Sequence, residues 1–109
     1  MKIGDYVRTK HYGISKITDI YNEDKIELDN VNAFGIKGVC YMTENIIKSS
    51  PNIIDVLQVG DFVNEYKITG KSNLNILYTY DEQVMLTSKN IKSVVTKEQF
   101  NSMKYKIGV

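Results

Sequence analysis

The sequence predicts a mainly β protein that consists of two small antiparallel barrel halves with short helical turns. Two observations predict this class. Ile3-Gly4-Asp5-Tyr6-Val7 is echoed by Val59-Gly60-Asp61-Phe62-Val63, which indicates an internal repeat. Short runs of β-branched and aromatic residues also follow one another with turn residues between them, as in small barrels. With 109 residues, the chain suffices for one compact domain or two very small ones.

The repeat places the first half at residues 1–50 and the second half, with a short C-terminal helix, at 58–109. A connecting turn is expected at 51–57. Each half closes on a similar phrase, Glu44-Asn45-Ile46-Ile47-Lys48-Ser49 in the first and Lys89-Asn90-Ile91-Lys92-Ser93 in the second. Chance similarity between two β-rich segments is the alternative account of these matches.

In the first half, the residue pattern predicts four strands. The first begins at Tyr6-Val7-Arg8-Thr9, and residues 14–21 alternate between two faces of the second. Lys25-Ile26-Glu27-Leu28 follows a turn and forms the third strand. Val39-Cys40-Tyr41-Met42 is predicted as a buried strand, in which Cys40 would behave as a small apolar residue.

The second half repeats this pattern, with strands predicted at 62–63, 66–69, 75–80 and 83–87. Two helical turns are expected as well. Ser50 can cap a turn that begins at Pro51 and runs to Leu57. Thr96 and Gln99 have the spacing of a capping box, which predicts a helix over 96–103.

Composition excludes several classes of protein. The net charge is +1, the longest apolar runs are only a few residues, and the N-terminus has no apolar signal segment. With Cys40 as the only cysteine, no internal disulfide can form, so we expect a cytoplasmic protein and no membrane partner. His11 is the only histidine, and no phosphate-loop motif is present. We therefore expect no enzyme activity, no cofactor and no metal site.

The strongest candidate for a binding site is the first loop. It joins the only arginine, the only histidine, a lysine and a tyrosine within five residues. We expect Arg8, Lys10, His11 and Tyr12 to form an exposed recognition patch, because tyrosine gives a large contact area at little entropic cost. Replacing Arg8, His11 and Tyr12 together should then remove binding and leave stability nearly unchanged. The alternative is that Tyr6 and Tyr12 only cover the end of the barrel.

Tyr66 and Lys67 complete the set of candidate binding residues. They belong to the corresponding segment of the second half, Asn64-Glu65-Tyr66-Lys67, which differs in charge from the first loop. The two halves therefore need not bind the same target. Lysines also accumulate towards the C-terminus, where they could attract a polyanion or form a solvated surface. They are Lys89, Lys92, Lys97, Lys104 and Lys106.

The Gly-Asp-aromatic-Val phrase, followed by a polar loop, Gly13 and an Ile-rich strand, resembles the opening of an SH3-like barrel of the KOW type. The wording of residues 1–10, 46–64 and 91–100 is similar to that of small proteins encoded by phages and prophages of Gram-positive bacteria. This resemblance transfers no catalytic residues. It implies an accessory protein that works in the cytoplasm of an infected bacterium.

The expected function is therefore the non-enzymatic binding of a host bacterial protein, which the chain would inhibit or redirect, for example as an anti-defence protein. Two alternatives stay open: nucleic-acid binding by a KOW-like module, and sequestration of a small anionic nucleotide. A net charge of +1 is low for a dedicated nucleic-acid-binding protein. Edge strands of small barrels also allow homo-oligomers to form.

Overall fold

The computed structural model describes residues 1–31, 35 and 37–104, and these form two five-stranded antiparallel sheets, one of them a half-barrel. This confirms the predicted fold class. The first sheet contains β1 (Tyr6–Thr9), β2 (Gly13–Ile20), β3 (Lys25–Val31), β4 (Lys37–Met42) and β5 (Ile46–Ser50), with a 3₁₀ turn at Thr43–Asn45. The second contains β6 (Phe62–Val63), β7 (Tyr66–Lys71), β8 (Leu77–Thr79), β9 (Met85–Leu86) and β10 (Val94–Val95). Along the chain, helix α1 (Ile53–Val56) comes between the two sheets, and helix α2 (Lys97–Lys104) follows the second sheet.

Both sheets have the same connectivity. The strand order is β4-β3-β2-β1-β5 in the first sheet and, read in the same sense, β9-β8-β7-β6-β10 in the second. In each, four strands follow one another as a meander, and the fifth strand returns to pair with the first. The two halves are therefore similar in strand topology as well as in sequence.

The two opening phrases also form the same hydrogen bonds. The Gly4 N–H donates to the Ile17 carbonyl at 2.8 Å, and the Gly60 N–H donates to the Ile68 carbonyl at 2.9 Å. In each copy, the carbonyl of the following aspartate accepts the N–H of that isoleucine, at 2.9 and 2.8 Å. Both glycines have positive φ, +94° and +100°, a conformation that a side chain would strain. These matched bonds confirm the internal repeat at atomic detail.

Each half has its own apolar core, because alternate strand residues turn inward. Ile14 and Ile53 are partly buried against the core of the second half, so the two halves contact each other. The core of the first half is Val7, Ile17, Ile26, Leu28 and Tyr41. The core of the second half combines Val63, Ile68, Leu77 and Leu86 with Ile54 and Leu57 of the connecting segment.

The N-terminal cap predicted from the sequence is observed in α2, whereas in α1 a different residue forms the cap. The Thr96 hydroxyl accepts the Gln99 N–H at 3.3 Å, and the Gln99 side chain accepts the Thr96 N–H at 3.0 Å, so the capping box is confirmed. Helix α1 is capped by Asn52 rather than Ser50, since the Asn52 side chain accepts the Ile54 N–H at 3.0 Å. Ser50 instead accepts the Asn52 N–H, which fixes the turn just before the helix.

Candidate binding surface

Arg8 is the residue whose placement differs most from the sequence prediction. It lies in β1 and its side chain is completely buried. Its guanidinium donates two hydrogen bonds to Asp61, at 2.6 and 2.7 Å, and two to Glu98, at 2.6 and 3.4 Å. A further bond reaches the Val56 carbonyl at 3.0 Å. Arg8 therefore joins the first half to the second, and the expectation that it lies exposed in a recognition loop is wrong.

The charges of this buried cluster are maintained by its hydrogen bonds. Burial alone raises the pKa of the Asp61 carboxyl, but hydrogen bonds from Arg8 and from the Gln58 and Lys97 N–H groups outweigh burial and leave that pKa lowered. The pKa of Glu98 is lowered against its own burial by Arg8 in the same way. Burial opposes the charge of Arg8, yet its two carboxylate partners raise its pKa. We define Arg8, Asp61 and Glu98 as the ion-pair cluster.

The loop between β1 and β2 is held by three hydrogen bonds to its backbone and flanks. The Thr9 hydroxyl donates to the Gly13 carbonyl at 2.9 Å and accepts the Tyr12 N–H at 2.9 Å. The Lys10 N–H donates to the Asn45 carbonyl at 3.1 Å. These bonds fix a loop of three residues, 10–12, whose members are all exposed.

Two of the predicted binding residues, His11 and Tyr12, come together on a third aromatic residue. His11 Nδ1 lies 2.9 Å from the Tyr41 hydroxyl, and the two rings meet edge to face with centroids 5.9 Å apart. The Tyr12 ring packs on Tyr41 in the same manner at 5.5 Å. Tyr41 is 6% exposed, whereas Tyr12 is 39% exposed. We define Lys10, His11, Tyr12 and Tyr41 as the Tyr41 patch.

Sequence reasoning did not assign Tyr41 to this site. The alternation of β4 turns Val39 and Tyr41 inward, so that Tyr41 can support the loop from below. The same alternation exposes Cys40, which corrects the expectation that this cysteine is buried in the core. The signal that could have found Tyr41 is the register of β4 against β3, where Tyr41 lies opposite the core residue Ile26.

Tyr66 and Lys67 are not in a loop, because the turn before them contains only Asn64 and Glu65. Both turn residues have positive φ, 51° and 73°, which is the geometry of a two-residue hairpin. Tyr66 and Lys67 therefore begin β7, and the Tyr66 ring contacts the Tyr80 ring at 5.8 Å. Their part in binding stays a prediction.

Within the described residues, no three His, Cys, Asp or Glu side chains cluster closely enough to hold a metal ion. In the same part of the chain, no helix has the length and apolar character needed to cross a membrane. Comparison of the chain with models of protein families, with curated proteins and with solved structures found no match.

Proposed function

We propose that this chain is a non-enzymatic binding protein that inhibits or redirects a host bacterial protein, and that it binds its target through the Tyr41 patch. The resemblance of its sequence to phage and prophage proteins supplies the setting, the cytoplasm of a Gram-positive bacterium. One observation carries the proposal: the exposed His11 and Tyr12 side chains are packed against one buried tyrosine.

The geometry of the patch suits recognition of a protein surface. Aromatic side chains are enriched in the cores of protein interfaces, where they supply much of the binding energy. The hydrogen bonds of Thr9 and Asn45 already order the loop, so binding would cost little additional conformational entropy. Exposed Lys10 adds a cation at the rim, where charge favours one class of partner over another.

The test is a pull-down from a nuclease-treated Gram-positive lysate with the tagged full-length chain as bait. The patch variant is His11→Ala/Tyr12→Ala. Tyr78→Ala is the matched control, because Tyr78 is 43% exposed on the second sheet, close to the 39% of Tyr12. We expect wild type and control to recover one host protein in near-equal amount, and the patch variant to lose at least roughly tenfold of it.

Two results would contradict the proposal. One is equal recovery by the patch variant and the control, which would place the contact elsewhere on the chain. The other is recovery only without nuclease, which would indicate that nucleic acid connects bait and prey. The thermal melting point of each bait checks that the loss of binding is not a loss of folding. Light scattering on the same samples tests the homo-oligomer that edge strands allow.

A further inference from the structure

A cleft runs between the two halves, away from the Tyr41 patch. Its first wall comes from β1 and β2 and its second from the segment before β10, and its volume is about 360 Å³. A hollow of about 390 Å³ adjoins it at Tyr6 and Ile53, and another of about 560 Å³ adjoins it at Lys92 and Ser93. The three cavities share these lining residues, and we call the group of three the inter-half cleft. Its parts have the size that small ligands occupy in proteins.

Four apolar side chains line the inter-half cleft, and we call them its floor: Ile14, Ile53, Ile91 and Val94. All four are partly buried against the core that contains Ile54 and Leu57. Tyr6 is also half-buried and lines both the 360 Å³ cavity and the adjoining 390 Å³ hollow. A flat ring of a ligand could therefore pack against aliphatic side chains and the edge or free face of an aromatic ring.

The rim of the cleft carries lysines from both halves. Lys16 projects from the first half, and its ammonium lies 5.1 Å from the centroid of the Tyr6 ring. Lys89 and Lys92 come from the second half. Among the described residues, ion pairs are formed only by Arg8, so none of these three ammonium groups has a carboxylate partner.

Two carboxylates share the rim. Asp29 accepts the backbone N–H of Lys16 at 2.9 Å, and Glu65 lies in the turn before β7. The three lysines therefore exceed the two carboxylates by one, and they come from both halves of the chain. An anion placed between the walls would contact both halves at once, and Coulomb attraction is stronger in such a recess than on an open surface.

We propose that the inter-half cleft binds a nucleotide, with its base on the floor at Tyr6 and its phosphate between Lys16 and Lys92. The planar base of a nucleotide matches the apolar floor, and its phosphate matches the lysines of the rim. Proteins that bind single-stranded nucleic acid also combine aromatic side chains, which stack on the bases, with positively charged side chains beside the backbone. The nucleotide can be free or one unit of a strand. This proposal goes beyond the proposed function and uses no residue of the Tyr41 patch.

The test uses the full-length chain with two probes, ATP and a fluorescein-labelled oligothymidine of about ten nucleotides. Titration calorimetry follows ATP, and fluorescence anisotropy follows the oligonucleotide. The cleft variant is Lys16→Ala/Lys92→Ala, and Lys25→Ala/Lys48→Ala is the control of equal charge, because both control lysines are exposed outside the cleft. All four substitutions remove exposed side chains, so folding should be unaffected in each variant.

We expect at least one probe to bind wild type and control with a Kd below about 1 mM, and the cleft variant to bind roughly tenfold more weakly. Binding of ATP alone identifies a free nucleotide, and binding of the oligonucleotide with a steep salt dependence identifies a strand. Absence of binding by both probes, or an equal loss in the control, overturns the proposal. Tyr12→Ala should bind both probes as wild type does, so the cleft and the Tyr41 patch can fail separately.

Discussion

Arg8 and Asp61, which lie 53 positions apart in the chain, form a buried bidentate ion pair with N–O distances of 2.6 and 2.7 Å. Both side chains are completely excluded from solvent. The Arg8 guanidinium also reaches Glu98 in the first turn of α2. Three distant segments of the chain are therefore joined at one planar cation, whose fork geometry lysine cannot reproduce.

Arg8→Met should lower the free energy of unfolding by about 3–5 kcal/mol, because it leaves the Asp61 carboxylate buried without its cation. Urea denaturation measures this loss. Adding Asp61→Asn should recover part of it, since the amide is uncharged and its single oxygen can still accept one of the two N–H groups, from Gln58 or from Lys97, that the carboxylate accepts. A loss below about 1 kcal/mol in Arg8→Met would show that the ion-pair cluster behaves like a surface salt bridge.

Acid should destabilise the protein through the same cluster. The pKa values of Asp61 and Glu98 are lowered in the folded state, so the unfolded chain binds protons first as the pH falls. The contribution of both groups is complete above their unfolded pKa values of about 4 and is lost as the pH falls through the folded values. Urea denaturation across a pH series should show this decline. In Asp61→Asn the decline should be shallower, and an unchanged slope would contradict this account.

Glu65→Gly should stabilise the protein by roughly 0.5–1 kcal/mol, because Glu65 has a φ of 73° in the two-residue turn and glycine adopts that conformation without strain. The change in melting temperature measures it. Thr69→Gly is the control, an exposed position within extended β7 where added chain entropy should destabilise. Destabilisation by both substitutions would mean that backbone strain at Glu65 is negligible.

Gly13→Ala should destabilise more than Gly4→Ala, although both glycines have positive φ. A methyl group at Gly13 would overlap the side-chain amide of Gln99 in α2, whereas one at Gly4 would meet no atom within 4 Å. We expect about 1–3 kcal/mol of additional loss at Gly13, measured by urea denaturation. Equal losses would indicate that the Gln99 side chain can move away from Gly13, and give up its bond to the Thr96 N–H, at no cost.

The features that the sequence predicted well are local. The Gly-Asp-aromatic-Val phrase marks a turn in each half, closed by a bond from the aspartate N–H to the carbonyl three residues earlier, and the Thr96–Gln99 spacing marks a helix cap. The position of Arg8 could not be predicted, because its partners Asp61 and Glu98 are separated from it by 53 and 90 positions. A charged side chain is normally exposed, and only tertiary contacts overrule that preference.

The candidate site was predicted only in part, because one of its residues is brought to the loop by strand pairing between distant segments. His11 and Tyr12 are neighbours in sequence, so their proximity was certain, whereas Tyr41 reaches them only through the pairing of β3 with β4. The expectation that Arg8, His11 and Tyr12 can be replaced together without loss of stability no longer stands. The buried ion pairs predict that this triple variant unfolds more easily, so binding tests require variants that retain Arg8.

The two aspartates of the repeat have diverged in their use. Asp5 accepts the Lys2 N–H at 3.0 Å, and Asp61 accepts the Gln58 N–H at 2.8 Å, so each closes its own turn. Asp61 alone also neutralises the arginine of the other copy, and the position equivalent to Arg8 in the second copy is the uncharged Asn64. A first half expressed alone would therefore carry the Arg8 guanidinium without the Asp61 carboxylate that neutralises it. A second half expressed alone would likewise keep the Asp61 carboxylate without its guanidinium, so each half is expected to be less stable by itself than within the full chain.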